Sequence, residues 1–404
     1  MAVSIPAASG SADAVASTTR ERTGARAEEW PIYAVLVASA SIVIGLIWDI
    51  SWHRTIGRDT FWAPPHLLEQ AGAIIAGLSC GFVALKTTFA GSGADRARSV
   101  RFWKLFQAPL GAWVCIWGTI MMITSAPFDN WWHNAYGLDV KIISPPHIIL
   151  ASGMVAIQLG AMLMALGAQN RAESESDRRR LGIIFTISAA VIIVMIAVMI
   201  TEDASFANEM HSSTFYRVTG LMLPVFMVAF ACASRLSWPA TRIAILYMLI
   251  TMTAIWILQL VPATPKLAPI YNPVTHMVPP AFPLLLFAPA LAIDILLKRV
   301  GSDRDWTLSV LLGITFVLVM LAVHWFWAEF MLTPATRNFF FGADQWDYSS
   351  RLGPWRYQYW SLDGPNNEWS TAPFVRGLGI AMVTAVVSSR LGLAWGKGMS
   401  RVRR

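Results

Sequence analysis

Ten apolar stretches alternate with short polar segments along the chain, at about 32–50, 66–86, 105–127, 146–168, 181–200, 215–234, 241–261, 278–297, 307–332 and 374–395. A helix needs about 20 mostly apolar residues to span the hydrocarbon core of a bilayer. The pattern therefore predicts an all-α, polytopic membrane helix bundle of about ten transmembrane helices. It divides the chain into a polar tail at 1–30, a membrane domain with nine helices at 31–332, an aromatic extracytoplasmic loop at 333–373, and a last helix with a basic tail at 374–404. The tail carries no apolar core of the signal-peptide kind and is expected to be disordered.

Composition strengthens this picture. Of the 404 residues 55% are hydrophobic and 14% charged, with 19 Trp, and the mean hydropathy is +0.52; these values lie outside the soluble range. With the N-terminus placed in the cytoplasm, 22 of the 31 Lys and Arg fall on the cytoplasmic side. The positive-inside rule then predicts a bacterial inner-membrane protein with both termini cytoplasmic. The net charge of +7 comes from short inter-helix segments, which argues for the lipid bilayer as partner and against nucleic acid. Cys80, Cys115 and Cys232 lie in separate apolar runs, without a CxxC spacing, and read as small core residues.

On this map all seven histidines (His53, His66, His133, His147, His211, His276 and His324) fall on the extracytoplasmic side. Four of them belong to a repeat. DISWHRTIGRDTFWAPPHLLEQAG aligns with DNWWHNAYGLDVKIISPPHIILASG at Asp49/Asp129, His53/His133, Gly57/Gly137, Asp59/Asp139, His66/His147 and Gly72/Gly153. The offset is 80 residues, then 81 after one insertion, so 31–87 and 105–168 read as tandem helix hairpins in the same orientation.

Asp49 and His53, four residues apart, share one face of a helix. His66 follows Pro64 and Pro65, which suit the first turn of the next helix. Two histidines and a carboxylate on one hairpin make a three-ligand metal site with open positions, of a class that holds copper, non-haem iron or zinc. The alternative for Asp49–His53 alone is an ion pair at a helix end; its recurrence together with a third member weakens that alternative.

The run Asp49-Ile-Ser-Trp-His53, Arg58-Asp59-Thr60 and Pro64-x-His66-x-x-Glu69 resembles the metal-binding helices of the C subunit of copper membrane monooxygenases, the particulate methane and ammonia monooxygenases. The resemblance covers about 21 residues, 49–69. It implies Asp49, His53 and His66 as copper ligands, partner subunits, and O2-dependent oxidation of a small apolar substrate or ammonia. The second copy departs from the pattern, with Leu138 in place of Arg58 and Leu150 in place of Glu69, and ten helices exceed that subunit's usual number. Asn272 and His276 have the spacing of the family's second metal pair, although Pro273 between them disfavours a helix.

The expected metal ligands are thus Asp49, His53, His66, Asp129, His133 and His147. Glu69, Arg58, Asp59, Asp139, His324, His276 and Asn272 are expected neighbours or extra ligands. Glu202, Asp203, Glu209 and His211 read as a solvated acidic loop. The aromatic segment 333–373 reads as a lid or as an interfacial cap. Three functions fit this reading: a copper-dependent monooxygenase or one subunit of it, a non-catalytic protein of copper storage, assembly or transport, and a structural protein with zinc-stabilised hairpins, alone, as a homo-oligomer or with partner subunits. Nucleotide loops, GxSxG, HExxH and CxxCH motifs are absent from the sequence.

Overall fold

The computed structural model describes residues 29–137, 144–200, 206–300, 305–361 and 369–403. Residues 1–28 of the tail expected over 1–30, and Asp139, Glu202 and Asp203, lie outside the described residues. Helix α1 (Trp30–Thr55) is followed by α2 (Pro64–Leu85), which runs on as a π-helical turn at Lys86–Ala90. A short α3 (Gly93–Ala97) and an antiparallel hairpin of β1 (Val100–Phe102) and β2 (Phe106–Ala108) lead to α4 (Leu110–Tyr136) and α5 (Pro145–Arg171). The remaining helices are α6 (Glu175–Met199), α7 (Ser213–Ala233), α8 (Pro239–Leu258), α9 (Phe287–Val300), α10 (Asp305–Met331) and α11 (Thr371–Met399). Among the described residues nine of these, all but α3 and α9, are long and apolar enough to cross a membrane. The protein is an all-α polytopic helix bundle.

Prolines open α1, α2, α5 and α8, where the first backbone N–H groups need no helical partner. Small residues then let the helices approach closely, as helix pairs in lipid require. A Cβ on Gly72 of α2 would lie 2.8 Å from the Ala38 carbonyl oxygen and 2.8 Å from Ile42 Cγ1 of α1. A Cβ on Gly153 of α5 would lie 2.8 Å from the Gly118 carbonyl oxygen and 2.8 Å from Met122 Cγ of α4. These contacts sit at the offsets of the sequence repeat, so the two hairpins fold alike.

The tenth crossing corrects the sequence reading. A continuous helix over 278–297 is not formed: α9 starts only at Phe287, and the residues before it run without regular structure through the buried interior. Pro279, Pro280 and Pro283 account for the break, because each lacks a backbone donor and constrains the residue before it. Non-helical backbone at membrane depth is tolerated only when protein satisfies it. Here Val278 N–H donates to Thr55 Oγ1 (2.7 Å), Leu284 N–H to the Tyr247 hydroxyl (3.2 Å), and Leu285 N–H to His324 Nε2 (3.0 Å). At the other end Asp294 accepts from the backbone of Ala240 and Thr241 and so caps α8. The segment thus runs from the end of α1 to the start of α8, a full crossing built half of extended chain and half of helix.

One end of the bundle gathers the charges. Arg180 pairs with Glu29 and Asp177, Lys397 with Asp305 at 2.6 Å, and Arg171 donates to the Arg403 carbonyl. Residues 29 and 403 therefore lie at the same end. The repeated hairpin tips lie at the opposite end.

Candidate metal centre

The centre is built where α1 ends and α2 begins. Asp49 and His53 stand one turn apart on the last two turns of α1, and Gly57, with φ of +79°, turns the chain out of the helix. His66 stands in the first turn of α2, presented by its two prolines. His66 Nε2 lies 3.1 Å from Asp49 Oδ1, and His53 Nε2 lies 3.7 Å from Asp49 Oδ2. Asp59, expected only as a neighbour, is central: its Oδ2 lies 3.3 Å from Nε2 of His53 and 3.3 Å from Nε2 of His66. Ligand atoms of Asp49, His53 and Asp59 lie within 4.8 Å of one another, a group able to hold a metal ion.

The Thr60 carbonyl can only accept, so His66 Nδ1, 3.0 Å away, must carry a proton. Nε2 then faces the two carboxylates, as a donor to Asp49 when the ring carries a second proton and as a lone pair when a metal ion takes that proton's place. Anchoring one ring nitrogen on a backbone carbonyl is how metal-binding histidines are oriented. Asp49 Oδ1 is buried, with the His66 ring nitrogen 3.1 Å away. Donors about 2 Å from one ion stand roughly 3.3 Å apart, and the four His–Asp separations here run from 3.1 to 3.7 Å. The Asp59 carboxyl, outside the helices, is held below its ordinary range by the hydrogen bond from the His53 ring.

The second hairpin repeats the arrangement. His133 Nε2 lies 3.3 Å from Asp129 Oδ2, and His147 Nε2 lies 3.7 Å from Asp129 Oδ1, which is again buried. His133 Nδ1 donates to the Gly137 carbonyl (3.2 Å), and His147 Nδ1 pairs with Ser144 Oγ (2.9 Å). All six residues expected as ligands are therefore brought together in two threes.

The surroundings differ. Tyr348 N–H donates to the Arg54 carbonyl, Lys266 N–H to the Ile56 carbonyl, and half-buried Arg54 reaches the Pro279 carbonyl at 2.8 Å. Lys266, Pro279 and Tyr348 therefore clamp the end of the first hairpin's α1, whereas a Cβ on Gly137 would meet no described atom within 4 Å. Glu69 is buried against Gly45 with Oε1 unpaired, within electrostatic reach of Asp49. Arg58 keeps an exposed side chain, and its carbonyl accepts from the Trp52 indole.

Three expected participants are placed elsewhere. His324 is fully buried, and its ring nitrogens face Leu285 N–H and Met210 Sδ, so it braces the extended half-crossing. Asn272 donates to the Trp346 carbonyl (2.8 Å), while His276 is exposed beside Thr275; neither stands on a helix. His211, expected in a solvated loop, is 1% exposed, with its ring between Trp325 and Tyr359. Burial pushes its pKa down to about 4.

No family model, no curated protein and no solved structure matches the chain.

Proposed function

We propose that this is a copper-binding membrane protein whose hairpin tips form two metal centres, and that the first serves O2-dependent oxidation of a small apolar substrate, alone or within a monooxygenase-like complex. The observation that carries the reading is the inward-facing set of groups: two imidazole Nε2 atoms and two carboxylates converge at 3.1–3.7 Å, with no Lys or Arg among them. Imidazole and carboxylate donors suit copper(II), with iron and zinc as competitors. Asp49, His53, Asp59 and His66 would hold the ion at the first hairpin, and Asp129, His133 and His147 at the second. A copper ion there would supply redox chemistry toward O2.

The chain's own residues orient and shield the site. The Thr60 carbonyl fixes the His66 ring, and the Arg54 and Tyr348 contacts hold the end of α1. His53, with about half of its side chain exposed, marks the open side. The positive-inside asymmetry supports a bacterial orientation with the charged end in the cytoplasm and the metal centres outside.

The test is spectroscopic and functional. Copper(II)-loaded protein should show electron paramagnetic resonance signals with imidazole nitrogen coupling that weaken in His53→Ala, and oxygen uptake in membranes should rise with a small hydrocarbon or ammonia. Nitrogen coupling without substrate-dependent uptake, with partner subunits present, would favour copper storage or delivery. That second reading is supported by the intact donor set of the second hairpin.

A further inference from the structure

The two hairpins meet along a seam that carries sulfur. Cys80 of α2, Cys115 of α4 and Met164 of α5 come from three different helices and are far apart in sequence. The Cys80 thiol donates to Met164 Sδ at 3.9 Å, and the Cys115 thiol, which reaches the Ile157 carbonyl at 3.6 Å, stands within interaction range of Cys80. Both cysteines are fully buried and free, and Met164 is 7% exposed. Cys80 and Cys115 are the buried core residues expected, although their separate apolar runs pack against each other.

Cys115, Met122 and Asp129 recur at seven-residue intervals on α4 and so share one face. Met122 fills the slot left by Gly153, two turns below the second hairpin centre. The cysteine pair lies about 20 Å from Asp129 along the helix axis.

We propose that Cys80, Cys115 and Met164 form a buried binding site for one monovalent copper ion, at the seam between the hairpins. Two sulfur donors about 2.3 Å from an ion in a trigonal arrangement stand roughly 4.0 Å apart, and the Cys80–Met164 separation matches that value. Thiolate and thioether are soft donors that select copper(I) over hard cations. The charge also balances: copper(I) displaces one thiol proton, which leaves to solvent, and a thiolate–copper(I) pair is neutral overall. A neutral complex avoids the cost of an uncompensated charge in the bilayer interior. No electron is transferred in the step. The ion would link α2, α4 and α5, and with them the two hairpins. The site does not depend on the reading of the hairpin tips.

The experiment is an anaerobic competition titration of the full-length protein in detergent, with copper(I) alone as probe against a copper(I)-binding chromophore. Cys80→Ser/Cys115→Ser should lose one equivalent relative to wild type. Cys232→Ser and His53→Ala/His133→Ala should keep that equivalent, which separates this site from the hairpin tips. Met164→Leu, which keeps volume, should weaken the affinity about tenfold and decides the matter if the double serine variant fails to fold. Equal copper(I) binding by wild type and a folded Cys80→Ser/Cys115→Ser overturns the proposal, as does unchanged affinity in Met164→Leu when the serine variant is unfolded.

Discussion

Asp59 Oδ2 lies 3.3 Å from Nε2 of His53 and 3.3 Å from Nε2 of His66, so one carboxylate bridges the histidines of the first hairpin. Asp59→Asn keeps the shape and removes the charge. In a His133→Ala background, where only the first centre remains, this change should lower metal affinity at least tenfold in a calorimetric titration. An unchanged affinity would remove Asp59 from the ligand set.

Glu69 is buried with Oε1 unpaired, and the second hairpin has Leu150 in its place. A buried unsatisfied polar group costs about 1–3 kcal/mol. Glu69→Leu should therefore leave the thermal midpoint unchanged or raise it, while metal retention at the first centre falls because a carboxyl group beside Asp49 and His66 is lost. A drop of several degrees would show that Glu69 holds the fold together.

Gly57 and Gly137 occupy equivalent turns with φ of +79° and +88°. Alanine at either position is strained, by about 1–3 kcal/mol. At Gly57 the new Cβ would also strike the Tyr348 ring, which closes the outer loop over α1. Limited proteolysis within 337–361 should accelerate in Gly57→Ala and stay at the wild-type rate in Gly137→Ala. Equal rates in both variants would mean that Tyr348 does not clamp the loop.

The His211 ring is packed between Trp325 and Tyr359, with Glu329 facing it, and burial lowers its pKa to about 4. The unfolded chain takes up this proton near pH 6.5 and the folded protein only near 4. The contribution to stability is complete above pH 6.5 and is lost progressively on acidification through that window, by about 3 kcal/mol in all. Between pH 7.5 and 4.5 the thermal midpoint of wild type should fall more than that of His211→Phe. Parallel curves would contradict a neutral buried His211.

Much of this architecture was legible in the sequence, because membrane helices declare themselves by length and apolarity alone. The repeat was equally plain: Asp49/Asp129, His53/His133 and His66/His147 take up matching positions, and Gly72/Gly153 make matching contacts. The tenth crossing was misread because hydropathy counts apolar residues without asking whether Pro279, Pro280 and Pro283 permit a helix. His324 looked like a site residue because a histidine in a span is costly; its acceptor role toward Leu285 exists only once that backbone is extended. Asp59 stood in the motif, but its bridging position depends on the turn between α1 and α2. The meeting of Cys80, Cys115 and Met164 depends on how the hairpins pack, which spacing along the chain does not reveal.

The central claim is that the two hairpin tips are metal centres, and the most direct test is the metal content of the purified protein. Wild type expressed with copper and washed of loosely held ions should carry copper at both tips. His53→Ala and His133→Ala should each lose about one equivalent, and the double variant both. Identical copper, iron and zinc contents in wild type and the double variant would contradict the account, and the convergent Asp and His side chains would then be hydrogen-bonded ion pairs at helix ends.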